Sequence, residues 1–257
     1  FEVVDTQAQL AGAIDRIGTP AILKTAGFGY DGKGQTRVDR DTDPADAWAA
    51  IGGVPAVLEG FVDFAAELSV VAARGLDGAV VDYGLIENRH VDHILDVSIV
   101  DMPLAPEQAK AARDIAETVL SALDVVGVLC IELFLTRDGA LLVNELAPRP
   151  HNSGHLTIEG CASSQFDQQL RAVCGLPLGD TRRLQPVAMV NLLGDHWAGG
   201  EPAWGAALAD PAVNLHLYGK AEARAGRKMG HITAFGSDRD DAARRATAAR
   251  AALHSTE

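Results

Sequence analysis

Alternating apolar and polar positions predict a chain built mainly of strands. Glu67, Ser69, Val71 and Ala73 share one face of a period-two segment, which predicts a strand over Glu67–Arg74. The same pattern predicts strands over Phe1–Val4, Pro20–Thr25, Thr36–Val38, Val54–Leu58, Ala79–Asn88 and His93–Ile99. Helical spacing replaces it over Pro106–Leu123, where proline opens the first turn and Ile115, Val119 and Leu123 fall on one face. A shorter helix is expected from a Thr6 cap through Leu10 and Ile14 to Gly18, and another over Pro44–Ile51. Ser163 is expected to cap a helix through Phe166 and Leu170 that ends at Gly175. Strands at Val187–Leu193, Asn214–Tyr218 and His231–Phe235 then precede a polar, alanine-rich terminal helix.

Val128–Leu135 and Ala140–Leu146 read as a hairpin around Asp138-Gly139, a strong two-residue turn signal. Pairing Arg137 with Ala140 and stepping outward places Glu132 directly opposite Glu145. Opposed side chains there have Cβ atoms about 5 Å apart, and like charges at that spacing are destabilising. A hard cation between them removes the conflict, and Mg²⁺ is the one commonly held by one or two carboxylates plus phosphates. The alternative is a solvated sheet face, against which the apolar flanks Val128–Ile131 and Leu141–Val143 argue for a covered sheet.

Gly27, Gly29, Gly32 and Gly34 crowd the segment Gly27–Gln35 between two strands. It satisfies GxGxxG, but Gln35-Thr36-Arg37-Val38 reads as a returning strand rather than a helix. A P-loop is excluded because Gly34, not serine or threonine, follows Lys33. A glycine flap whose N–H groups approach phosphates, with Lys24 and Lys33 adding charge, is one reading; an ordinary glycine hairpin is the other. After Glu145, the segment Asn144–His155 packs Arg149, His151, Asn152, Ser153 and His155 into a turn-rich loop. Guanidinium suits a planar oxyanion such as carboxylate or bicarbonate. A zinc pair at His151 and His155 is disfavoured, since Ser-Gly breaks helical spacing and no third ligand follows. Lys220, Arg224, Arg227 and Lys228 form a cluster that is either a solvated face or a phosphate pocket bracketed by Gly226 and Gly230.

Composition narrows the function. In 257 residues the chain is 47% hydrophobic and carries net charge −13, from 22 Lys+Arg against 35 Asp+Glu. That is a packed globular protein whose acidic surface repels nucleic acid and anionic membrane, so bound phosphate needs a local cationic pocket. Nothing reads as a membrane span or signal peptide, and Cys130, Cys161 and Cys174 form no disulfide framework, as expected of the cytoplasm. A boundary is expected at Gly175–Arg183, dividing a domain of residues 1–178 from a smaller β-rich one of 179–257 with its terminal helix.

The segments FGYDGKGQ (28–35), EGFVDFAAELSV (59–70), ENRHVDHIL (87–95), NELAPRPHNSGH (144–155), SQFDQQLRAV (164–173) and GRKMGH (226–231) together resemble the 5-(carboxyamino)imidazole ribonucleotide synthase family of the ATP-grasp superfamily. The resemblance implies an α+β ATP-grasp domain with antiparallel sheets, a glycine flap and a small C-terminal β domain. It further implies a Mg²⁺- and ATP-dependent ligase that carboxylates aminoimidazole ribonucleotide with bicarbonate, through carboxyphosphate, in purine biosynthesis. A cytoplasmic homodimer and an N-terminal α/β domain ahead of Phe1 are also implied. By position, Lys24 and Gly29, Tyr30, Asp31, Gly32, Lys33, Gly34 and Gln35 would hold ATP phosphates. Glu59, Gly60, Phe61 and Val62 would meet adenine, Glu67 the ribose, and His90 and Asn144 the same nucleotide, with Glu132 and Glu145 on magnesium. Tyr30, Asp31, Arg149, His151 and Asn152 would handle bicarbonate and the amine, and Lys220, Arg227 and Lys228 the ribonucleotide phosphate. One departure is Ala147, where many relatives carry asparagine. Rival readings are another ATP-grasp carboxylate–amine ligase, a formate-dependent ribonucleotide transformylase, or a catalytically incomplete nucleotide-binding module.

Overall fold

The structure, a computed structural model, describes residues 1–27, 29 and 32–254. Two compact units emerge: Phe1–Asp63 with Asp92–Ile94, and Phe64–Val91 with Leu95–Glu257.

The first unit contains β1 (Glu2–Val4), α1 (Gln7–Ile17), β2 (Ala21–Thr25), β3 (Gln35–Val38), α2 (Pro44–Ala50) and β4 (Ala56–Gly60). Its strands form an antiparallel sheet in the order β1-β4-β2-β3. Thr6 occupies the N-cap position of α1 as expected, and there Gln9 Oε1 accepts from the Thr6 N–H at 3.1 Å. Leu10 and Ala13 of α1 and Ala47 of α2 bury against Val4, Leu23, Val38 and Leu58 of the sheet.

The second unit opens with β5 (Phe64–Arg74), β6 (Val80–Val91), β7 (Ile94–Val100), α3 (Pro106–Ala122), β8 (Gly127–Thr136) and β9 (Leu141–Ala147). A 3₁₀ turn at Asn152–Leu156 then leads into α4 (Thr157–Gly160) and α5 (Gln165–Val173). The remainder is β10 (Val187–Leu193), α6 (Trp204–Ala207), β11 (Val213–Leu217), β12 (Lys228–Phe235) and α7 (Arg239–Ala252). Eight strands form one sheet in the order β11-β12-β10-β7-β6-β5-β8-β9.

Alternation along the strands separates the buried clusters of the two sheet faces. Leu68, Val70 and Ala72 of β5 pack with Ala112, Ala116 and Leu120 of α3, while Ala188, Val190 and Leu192 of β10 pack with Ala242, Ala246 and Ala249 of α7. The alternate residues Val71, Ala73, Cys130, Val187 and Met189 bury against Leu156 and Cys161. This second face of the sheet carries the candidate chemistry.

β10 pairs with β7, so the C-terminal strands continue the sheet begun by β5. Three expectations need correction. Ser164 rather than Ser163 caps α5, its Oγ accepting from the Asp167 N–H at 3.2 Å while Asp167 Oδ2 accepts from the Ser164 N–H at 2.9 Å. β12 begins at Lys228, three residues before the expected His231, because Lys228 already pairs with Leu193. The hairpin is also only half covered: β8 is buried, but β9 is the sheet edge, and Val143 is 50% exposed. Among the described residues no helix is long and apolar enough to cross a membrane.

Candidate active site

Glu132 and Glu145 pair across β8 and β9, as expected, but not by the expected route. The turn holds three residues: Gly139 N–H donates to Thr136 O at 3.0 Å and Thr136 N–H to Ala140 O at 2.9 Å. Gly139 has φ 89°, the left-handed conformation that such a turn needs at its last position. Leu133 then faces Val143, and a bulge leaves Asn144 as the extra residue before Glu132 meets Glu145. On its other side Glu132 faces Ser69 of β5.

His151 approaches Glu132 from the loop after β9, with Nε2 2.9 Å from Glu132 Oε1. Burial works to raise the Glu132 carboxyl, but the His151 hydrogen bond and the nearby charges of His90 and Lys228 outweigh it and hold the group below its ordinary value. Glu132 is therefore a carboxylate at neutral pH. Glu145 is exposed beside it. Cys130, two residues earlier on the same face, is pushed well up by burial and stays a neutral thiol.

A buried glutamine sets the shape of the His151 loop. Gln165 Oε1 accepts from the His151 N–H at 2.9 Å, and its Nε2 donates to His151 O at 2.7 Å and lies 3.0 Å from His155 Nδ1. Arg149 is exposed, with its backbone N–H on Ala147 O. Asn152 Nδ2 is buried and has no hydrogen-bond partner among the described residues. A buried donor in that condition is costly unless a ligand oxygen accepts from it.

Next to this loop lies a histidine cluster. The His155 ring centroid is 5.1 Å from that of His231, which stacks on His216 at 4.5 Å. Tyr218 Oη is 2.8 Å from His231 Nδ1, and Glu159 contacts His216 and accepts from Thr233 Oγ1 at 2.8 Å. Burial lowers His155 to about 4 and His231 to about 2, so both rings are neutral at physiological pH. The basic loop between β11 and β12 is internally tied: Lys220 Nζ donates to Lys228 O at 2.5 Å and Arg227 Nη1 to Glu222 O at 2.9 Å. Lys220 also lies over the Tyr218 ring, 5.5 Å from its centroid.

Elsewhere on the second unit, Glu67 of β5 pairs with His90 of β6. In the first unit, Lys24 Nζ lies 2.7 Å from Glu59 Oε2. Gly29, Gly32, Lys33 and Gly34 connect β2 to Gln35 at the start of β3, and Thr25 N–H donates to Gly34 O at 2.8 Å. Tyr30 and Asp31, together with Phe28, lie outside the described residues. Gly60 ends β4; beyond it Phe61 sits beneath the Arg37 guanidinium, 4.8 Å from the ring centroid, with Val62 following. The structure thus gathers Glu132, Glu145, His151 and Asn152 on one unit and Lys24 and Glu59 on the other.

Sequence reasoning missed Gln165, Ser69, Asn88, Ser98 and Thr233. Their signal was present as polar residues at positions the period assigns to the interior.

A family model for the ATP-grasp domain matches residues 1–166, and one for the phosphoribosylaminoimidazole carboxylase C-terminal domain matches residues 187–245. A Brucella melitensis protein named N5-carboxyaminoimidazole ribonucleotide synthase is 50% identical over 235 residues, covering 91% of this chain and 64% of that protein. The crystal structure of a Thermus thermophilus N5-carboxyaminoimidazole ribonucleotide synthetase is similar with TM-score 0.85 and 40% identity, covering 98% of this chain and 67% of the other. An Aspergillus clavatus N5-carboxyaminoimidazole synthase, solved with ADP and 5-aminoimidazole ribonucleotide, is similar with TM-score 0.87 and 31% identity, covering 98% of this chain and 68% of the other.

Proposed function

The chain belongs to the ATP-grasp family, and we propose that it is the larger part of an N5-carboxyaminoimidazole ribonucleotide synthase. The proposed reaction is ATP-dependent carboxylation of 5-aminoimidazole ribonucleotide with bicarbonate, in the cytoplasm and as a homodimer. One observation carries this reading: two glutamates face each other across a hairpin, with a histidine–asparagine loop seated on the first of them. The C-terminal family match over residues 187–245 supports it over other ATP-grasp ligases.

The donor set fits a magnesium nucleotide. Glu132 is held ionised, and Glu145 lies opposite it on the open sheet edge. Oxygen donors of this kind suit Mg²⁺. When bound, the ion would neutralise charge on the ATP phosphates. Lys24 and the Gly29–Gln35 segment, with Tyr30, Asp31, Gly32, Lys33 and Gly34, are proposed to hold those phosphates. Glu59, Gly60, Phe61 and Val62 are proposed for adenine, and Glu67, His90 and Asn144 for the remainder of the nucleotide.

Bicarbonate and the amine are assigned to Arg149, His151 and Asn152 together with Tyr30 and Asp31. The buried Asn152 Nδ2 supports this, because a bicarbonate oxygen would satisfy a donor that otherwise lacks a partner among the described residues. Arg149 offers a planar, permanently charged fork to the same oxyanion. Lys220, Arg227 and Lys228 are proposed to hold the ribonucleotide phosphate, as the net positive charge of this loop favours. Incubation of the intact protein with ATP, aminoimidazole ribonucleotide and oxygen-18 bicarbonate tests the proposal. Label should pass from bicarbonate into the released phosphate, and its absence during ADP release would refute the reaction.

A further inference from the structure

A buried polar row crosses the sheet beneath the His151 loop. Ser98 Oγ on β7 donates to Asn88 Oδ1 on β6 at 2.9 Å, and Asn88 Nδ2 donates to Ser69 Oγ on β5 at 3.0 Å. Ser69 Oγ lies 2.8 Å from Ser153 Oγ, which lies 2.9 Å from His151 Nδ1. The row ends where His151 Nε2 meets Glu132. Ser69, Ser98 and Ser153 are fully buried, and Asn88 is 4% exposed.

Apolar side chains would fill these positions as well, and the same strands supply them on the opposite face. Buried polar groups are tolerated when they satisfy one another, and these do. Their order also gives the row a direction. An amide has one donating and one accepting end, and that of Asn88 accepts from Ser98 and donates to Ser69. Ser69, whose oxygen accepts from Asn88, keeps its own hydrogen to give to Ser153, and Ser153 its hydrogen to give to His151 Nδ1. The Ser153 backbone N–H points at the same Nδ1 at 3.4 Å. A ring whose Nδ1 accepts carries its hydrogen on Nε2, where Glu132 is the acceptor. Reversing the row would set the Nε2 lone pair against the carboxylate. The Glu132 end and the Ser153 N–H therefore select this direction.

We propose that Asn88, acting through Ser69 and Ser153, is a positioning residue that holds His151 as the Nε2–H tautomer with that hydrogen directed at Glu132. Its consequence for turnover rests on the assignment of His151 to the bicarbonate site. There, the row keeps Glu132 in one orientation beside the oxyanion site, as outer hydrogen-bond partners do around ligating groups.

Long-range proton–nitrogen NMR on the histidine-labelled intact protein reads the tautomer directly. Wild-type His151 should show a protonated Nε2 and a bare Nδ1. Asn88→Asp replaces the donor by an acceptor, so Ser69 turns toward it and the row reverses; His151 should then carry its hydrogen on Nδ1. kcat should fall roughly 10- to 100-fold with the KM for ATP unchanged. If Asn88→Asp does not fold, Ser69→Ala interrupts the row and should leave His151 as a mixture of both tautomers. A wild-type Nδ1–H tautomer, or a folded variant with the wild-type spectrum, overturns the proposal. A tautomer switch with unchanged bicarbonate-dependent turnover upholds the row and removes His151 from the proposed chemistry.

Discussion

Glu132 stands directly opposite Glu145, and the hairpin between them reaches that pairing by two offsets that cancel. A three-residue turn shifts the register by one, and the bulge at Asn144 shifts it back. The two carboxylates differ in setting. Glu132 is largely buried and engaged by His151; Glu145 is exposed on the edge strand.

That difference separates the two alanine variants. Glu145→Ala should change stability by less than about 0.5 kcal/mol, or raise it slightly as the like-charge repulsion is relieved. Glu132→Ala leaves a buried His151 donor without its acceptor and should destabilise by about 1–3 kcal/mol. Both should weaken the magnesium dependence of nucleotide binding in calorimetry. Unchanged dependence in both would remove the pair from the proposed metal site.

Arg149 sits between Pro148 and Pro150, whose fixed φ stiffens the backbone that presents it. Arg149→Lys keeps the charge and loses the fork. ATP affinity should stay within a few fold, because other residues are proposed to hold the nucleotide. Turnover should drop by about 10²-fold or more, the scale for one lost oxyanion donor. Steady-state kinetics decide it: near-normal bicarbonate-dependent ADP release would make Arg149 structural.

Gly34 has φ +74°, and a Cβ placed on it would lie 2.7 Å from Thr25 Oγ1. Gly34→Ala should therefore destabilise the first unit by about 1–3 kcal/mol and weaken nucleotide binding several-fold. Urea unfolding and hydrogen exchange at the Thr25 amide, whose acceptor is Gly34 O, report the change. Wild-type exchange and affinity would show that the segment absorbs a methyl group freely.

His155 and His231 should make the fold acid-sensitive. Their folded-state values of about 4 and about 2 lie below the ordinary 6.5. The unfolded chain thus binds protons that the folded chain refuses, and stability falls as pH drops below 6.5, continuing through about 4. Above 6.5 neither histidine contributes a pH dependence. His231→Gln keeps an acceptor for Tyr218 and removes one titration, so its stability profile between pH 6 and 4 should be flatter by about one proton. An equally steep profile would assign the acid sensitivity to carboxylates.

Much of this was legible in order along the chain. Period-two alternation identified β5, the Asp138-Gly139 turn signal identified the β8–β9 hairpin, and the Pro106 helix start matches α3. The glutamate pair was found despite the wrong turn, because a two-residue turn without a bulge and a three-residue turn with one consume the same number of residues. What local pattern could not supply was partnership at a distance. Ser69, Asn88, Ser98 and Ser153 come from four separate segments, and each alone reads as a small polar residue in a strand or loop. Lys228 looks like part of a basic loop until Leu193 pairs with it. The covering of β8 but not of β9 follows from strand order, which hydrophobicity does not encode.

The surplus residue at Asn144 gives the hairpin slack in its length. Deleting Asn144 would flatten the bulge into regular ladder, and deleting Arg137 would tighten the turn to two residues. Either shortening leaves Glu132 facing Glu145 without sliding one strand along the other. Loss of Asn144 would thus subtract both the bulge and whatever that side chain contributes while preserving the carboxylate pair.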